Sequence, residues 1–160
     1  MIPTTPYSHH LDGRDPLVVM REMIKAYPNL VAGWTAEQWE TPTGPGKWTV
    51  RQVMIHLAQT ELALGTRARM ALTTENFQAQ SFDQDKWLAR ELGVSGPDAA
   101  NTFVVLASMN LALYASLTDA DREITLNHNE YGPMTVNWVI YQEAGHQVHH
   151  FKQLSALLQS

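Results

Sequence analysis

A chain of 160 residues, 44% hydrophobic and 17% charged, fits one domain with a sizeable buried core and argues against disorder. Its net charge of −5, with no cluster of Lys or Arg, excludes a phosphate-neutralising face, so nucleic acid is not an expected partner. The absence of cysteine excludes disulfides, zinc–thiolate sites and a cysteine nucleophile, so any metal must be held by nitrogen and oxygen.

Residues 1–14 read as an arm interrupted by Pro3, Pro6 and Gly13. Met1-Ile-Pro-Thr-Thr-Pro6 has neither the charged nor the apolar region of a signal peptide, which makes the cytoplasm the expected location. The adjacent His9 and His10 are expected to point apart. Asp15-Pro16 starts a first helix, with Asp as N-cap and Pro at the first helical position. Leu17, Met20, Met23, Ile24 and Tyr27 follow at helical spacing, and Pro28 is expected to kink or interrupt the helix. Thr35-Ala-Glu-Gln38 has capping-box form and opens a short turn of helix. A breaker-rich loop, Thr41 to Gly46, precedes a second long helix that Thr49 caps and that runs from Val50 to about Leu72.

Residues 73–97 form a long connection, with a short helix starting at the acidic Asp83 and Asp85, a length of connection that usually serves function. Asp98 is expected to cap a third long helix ending near Leu117. Thr118 to Asp121 is a further capped turn, Ile124 to Tyr131 is expected to be extended, and Gly132-Pro133 to turn into the last helix. His128, beside that turn, reads as a surface residue. No apolar run reaches the roughly 18 residues of a membrane span. Four long helices, the second and third joined by an extended connection, make residues 1–160 a single all-α four-helix bundle.

The last helix carries its apolar residues, Val136 through Leu158, at steps of three and four, and three of the seven histidines fall within five residues of it. His146 and His150 lie about 40° apart around the helix axis, and His146 and His149 about 60° apart the other way, so either pair could chelate an ion. Two imidazoles from one helix with a third ligand elsewhere is the pattern of a catalytic site with an open position. His56 lies in the second helix, where a lone histidine among apolar neighbours is more often a hydrogen-bonded core residue than a ligand. No glutamate stands between the last histidines as in H-E-x-x-H. Glu61, Glu143 and Gln153 are the polar side chains placed to support ligands or carry protons, with Glu61 the candidate for the catalytic role.

Gly46-Lys-Trp-Thr-Val-Arg-Gln-Val-Met-Ile-His-Leu-Ala-Gln-Thr-Glu61 and His146-Gln-Val-His-His-Phe-Lys-Gln-Leu154 resemble two elements of the DinB/YfiT-like family, its H-L-A-D-x-E and H-D-x-H-H-x-x-Q-L/I motifs. Ser81-Phe-Asp-Gln-Asp-Lys-Trp87 is similar to a feature of one branch of it. The resemblance implies a four-helix bundle, often a homodimer, with a divalent ion on His56, His146 and His150, and with His149 beside the site. It places Gln59 and Gln147 where the family carries aspartates, and puts Gln59, Glu143, His149, Gln153 and Asp83 around the ligands or pocket. Zinc or nickel is the expected ion. The expected activity is a metal-dependent hydrolase of a small molecule or a transferase using a low-molecular-weight thiol; the alternative is a non-enzymatic, stress-associated metal- or ligand-binding bundle. Metal binding is expected to weaken as pH falls through the imidazole range.

Overall fold

The computed structural model describes residues 2–157; Met1, and Leu158, which the spacing assigned to the last helix, lie outside them. Caps set the helix starts. The Asp15 carboxylate accepts from the backbone N–H of Leu17 and Val18 and begins α1, Pro16–Val31. That helix continues through Pro28 to Val31, so the expected interruption does not occur; the proline removes one i→i−4 hydrogen bond near the helix end. Thr35 and Gln38 form a capping box on α2, Ala36–Trp39, and Thr49 and Gln52 form another on α3, Val50–Thr73. Asp83 caps α4, Gln84–Arg90. The cap of α5, Gly96–Ser116, is Ser95 rather than Asp98. The Ser95 hydroxyl accepts from Asp98 N at 3.2 Å and donates to its carboxylate at 2.6 Å, so Asp98 is the third helical residue, tied to the cap rather than serving as it. Thr118 caps the short α6, Asp119–Arg122, and Thr135 caps α7, Val136–Ala156.

The four long helices α1, α3, α5 and α7 close into a bundle. The main contacts join α3 to α5, α5 to α1, α1 to α7 and α7 back to α3, which leaves α1 and α3 diagonal. Tyr27, Met54, Leu57, Phe103, Tyr114, Ile140 and Leu154 are fully buried between them, and Tyr27 meets Phe103 and Phe151 edge-on. By length and mean hydropathy (1.3), α5 would suffice to cross a membrane, which the sequence pattern did not suggest; it packs against α1 and α3, with a third of its most apolar window buried.

Three short strands sit at one end: β1 (Gln78–Ala79), β2 (Thr125–His128) and β3 (Gly132–Thr135), with β2 in the middle, parallel to β1 and antiparallel to β3. The expected extended segment is therefore β2. Gly132-Pro133, expected as a turn, lies instead in β3, an edge strand where proline is tolerated. Gly132 takes a positive φ of 71° as the chain leaves the preceding turn.

The arm is not loose. Ser8–Leu11 form a 3-10 helix against α7, with Leu11 buried. The arm comes so close that a Cβ on Gly145 would lie 2.3 Å from the Tyr7 carbonyl oxygen. His9 and His10 do not point apart: their ring centroids are 4.0 Å from each other, and His10 Nε2 lies 3.1 Å from His149 Nδ1.

Candidate metal centre

Two capped helices aim the histidines. Thr49 fixes the start of α3 and Thr135 that of α7, and these neighbouring helices turn His56, His146 and His150 toward one point. His146 Nε2 lies 3.0 Å from His56 Nε2 and 3.1 Å from His150 Nε2. All three rings are buried, between Trp48 on one side (5.1 Å from the His56 ring) and Tyr7 on the other (5.1 Å from the His146 ring).

Burial holds these imidazoles neutral. The pKa of His56 falls to about 3, chiefly through burial and then the neighbouring His150. That of His150 falls to about 4, again through burial, against a hydrogen bond to Gln153 that raises it. His146 falls well below the usual histidine value for the same reason. Gln153 Oε1 accepts from His150 Nδ1 at 2.8 Å, which leaves a lone pair on the inward Nε2.

The donor set fits a divalent transition metal. Ligand nitrogens about 2.1 Å from one ion, at angles of 90–110°, are about 3.0–3.4 Å apart. Two of the three separations fall in that range and all three nitrogens lie within 4.8 Å of one another, the one group of at least three metal-ligating side chains found among the described residues. The buried Nδ1 atoms of His56 and His146 have no hydrogen-bond partner there, so no protein group fixes those rings by their outer nitrogens. An all-imidazole set suits zinc, nickel and copper.

A cavity of about 360 Å³ opens on one side of the cluster, lined by His56 and His146 and by Tyr7, Thr60, Arg67 and Asp83 among others. His150, with Gln153, Trp48 and Thr43, faces a second opening of about 250 Å³. Asp83 lines the first cavity and Gln153 the second, and His149 lies beside the cluster, half-buried against His10 and Tyr7. Gln59 points elsewhere and donates to Glu91 at 2.9 Å.

Glu61 is not on the cavity wall. Five residues from His56, it lies about 140° around α3, facing the bundle interior. Its carboxyl accepts from Gln147 Nε2 at 2.8 Å and from Asn110 Nδ2 at 3.3 Å, and it shares a hydrogen bond with Glu143. Glu143 takes the Tyr114 hydroxyl at 2.6 Å and Asn110 Nδ2 at 3.0 Å. Burial raises the pKa of both carboxyls, and for Glu61 the Glu143 charge adds to it, so the pair holds a proton on Glu61. An aspartate at position 147 would bring a third carboxylate here; the Gln147 amide donates instead.

Several residues around the cavity escaped the sequence reading. His128 is buried, not on the surface: only 4% of it is exposed, and it lines the cavity. Thr60 and Leu64 follow His56 by four and eight residues, and Gln142 precedes His146 by four. These are same-face intervals on a helix and were available as a signal. The approach of Tyr7 and His128 depends on tertiary packing that no spacing encodes.

Fold and centre together define a helical bundle with a buried three-histidine cluster beside a cavity. Residues 20–154 match the DinB superfamily, and the chain belongs to it. Its relatives include "Putative metal-dependent hydrolase OB0782" of Oceanobacillus iheyensis, 28% identical over 91% of this chain and 90% of that protein. A protein of Bacillus cereus (strain B4264) with the same functional name is 32% identical over 85% of this chain and 77% of its own. Among solved structures, YfiT from Bacillus subtilis, described as a probable metal-dependent hydrolase with an unusual four-helix bundle topology, matches with a TM-score of 0.79. That match has 23% identity and covers 90% of this chain and 86% of YfiT; it bears on the fold alone.

Proposed function

We propose that the protein is a metal-dependent hydrolase of a small molecule, with a divalent ion, zinc or nickel, held by His56, His146 and His150. The observation that carries this reading is the convergence of three neutral, buried Nε2 atoms at one end of a cavity. The names of the relatives point the same way. An ion bound there would supply Lewis acidity toward a carbonyl or phosphoryl oxygen and lower the pKa of a water.

The protein's own groups do the rest. Burial keeps the imidazoles unprotonated at neutral pH, and Gln153 orients His150. Thr60 and Gln142 bring buried side-chain oxygens without partners to the cavity wall, where a substrate can meet them. Proton transfer falls to Asp83 or Glu130, the two carboxylates that line the cavity, because Glu61 is spent on the buried network.

The test is metal content followed by turnover on esters, amides and thiol–electrophile pairs, with and without a chelator. One ion per chain and chelator-sensitive hydrolysis support the reading. Turnover confined to thiol–electrophile pairs would replace hydrolase by thiol transferase. A bound ion with no turnover on any of them would favour a metal-holding bundle without catalysis.

A further inference from the structure

His56 and His146 share their cavity with Arg67 of α3 and with His128 at the end of β2. The state of His128 can be read from its bonds. Its Nδ1 accepts from the backbone N–H of Glu130 at 3.2 Å and of Tyr131 at 3.4 Å. A ring nitrogen that accepts carries no proton, so the proton of the neutral ring is on Nε2. That Nε2 is buried and meets no hydrogen-bond acceptor among the described residues. His128 therefore presents a fixed N–H donor with nothing to receive it.

Arg67 is similarly underused. Its guanidinium donates to Gln80 O at 2.7 Å and lies 6.0 Å from the centre of the Phe82 ring. No salt bridge joins it to a carboxylate among the described residues. Of the two carboxylates on the cavity, Asp83 is engaged by Lys86, through its backbone N–H and an ion pair at 3.0 Å. Glu130, which is exposed, is the negative charge that Arg67 feels. A planar guanidinium fork and a single rigid N–H suit a planar acceptor with two oxygens. An ammonium group at these two side chains would meet only donors.

We propose that Arg67 and His128 form the recognition wall of this cavity and that the substrate is a small molecule bearing a carboxylate, held there with its reactive group at the three histidines. This rests on the metal-dependent reading above, so the test keeps the two apart. Zinc-loaded protein is titrated calorimetrically with butyrohydroxamate and with succinic monohydroxamate. Each carries a metal-binding hydroxamate on a chain of the same length, ending in a methyl or a carboxylate.

In the unaltered protein the carboxylate form should bind about tenfold more tightly, the scale of one charge-assisted hydrogen bond. That preference should vanish in Arg67→Gln and in His128→Asn. Asparagine keeps an oxygen able to accept from the N–H groups two and three residues on, so the turn survives while the far donor is lost. Glu130→Gln should enlarge the preference by removing the competing charge. If His128→Asn does not fold, Arg67→Gln decides. Equal affinity for the two ligands in the unaltered protein would overturn the recognition wall while leaving the metal reading intact, and so would a preference that survives in Arg67→Gln. Failure to bind either zinc or nickel would overturn the metal reading and this inference with it, and failure of the zinc-loaded protein to bind either hydroxamate would overturn this inference alone.

Discussion

The buried histidines make the metal-free protein sensitive to acid in a way that can be isolated at one residue. In the unfolded chain His56 titrates near 6.5; in the folded one, burial lowers it to about 3. Above pH 6.5 both states are neutral there, and the group adds nothing to the pH dependence. Below it the unfolded chain takes up a proton that the folded chain refuses, so stability falls as pH falls from 6.5 toward 3. Between pH 7 and pH 5 the loss at His56 is about 2 kcal/mol, from 1.36 kcal/mol per decade of proton concentration. The whole-protein curve cannot display it alone. Glu61, whose pKa is raised, holds a proton that the unfolded chain releases, so its contribution runs the opposite way over the same interval. The clean quantity is a double difference: the change in unfolding free energy between pH 7 and pH 5, in chelated wild-type protein and in His56→Gln. Urea titrations followed by circular dichroism give it. The variant should lose about 2 kcal/mol less, or about 1 M less in midpoint for a slope near 2 kcal/mol per M. Equal losses, within about 0.5 kcal/mol of each other, would mean that His56 is protonated in the folded state or solvated, and would undo the argument for a neutral cluster.

Replacing His56, His146 or His150 by Ala should abolish stoichiometric metal binding, whereas His149→Ala should keep one ion per chain, measured by elemental analysis after dialysis; loss in His149→Ala would reassign the ligands. Folded-state values of about 3 and 4 at His56 and His150 also revise the expected pH profile of metal binding: affinity should hold from pH 7 to about 5 and fail below about 4. Weakening centred near pH 6.5 in competition titrations would contradict this. Gly145→Ala sets a Cβ against the Tyr7 backbone and should cost about 1–3 kcal/mol, with faster hydrogen exchange in residues 5–12; an unchanged melt would place the arm elsewhere. Tyr114→Phe leaves a buried Glu143 oxygen without its donor and should cost about 1–3 kcal/mol in a urea titration, and a neutral result would dissolve the network.

What the sequence made legible was local. Thr35, Thr49, Asp83 and Thr118 announce helix starts because capping is a matter of three or four neighbouring residues. The metal-ligand candidates were legible for a different reason: spacing on α7 left two pairings open, and the resemblance supplied His56 and chose His150. The structure brings that trio together. The misreadings arise where contacts are long-range. His128 is buried by a sheet whose first strand has two residues, too few to show an alternating pattern. The arm folds onto α7 because Gly145, some 130 residues away, leaves room for it. The position of Glu61 off the cavity wall is the exception, since its five-residue offset from His56 already implied a different face of the helix.

On α7 an offset of three residues, about 60° around the axis, lets two polar systems coexist in one buried helix. Glu143 and Gln147 are four residues apart, and so are His146 and His150, the second pair set three residues after the first. Each pair makes a stripe, and all four side chains are buried. One stripe joins Glu61, Asn110 and Tyr114, while the Tyr27 hydroxyl donates to the Gln147 carbonyl at 2.7 Å, so side chains from α1, α3 and α5 all grip α7. A rotation of α7 that moved the histidines off their common point would also leave a buried carboxyl pair without donors. Packing of apolar residues tolerates small rotations, but a buried hydrogen-bonded network does not, because each lost bond strands a desolvated group. The Glu61–Glu143 network, which does not line the cavity, thereby fixes the angle at which α7 presents His146 and His150 to His56.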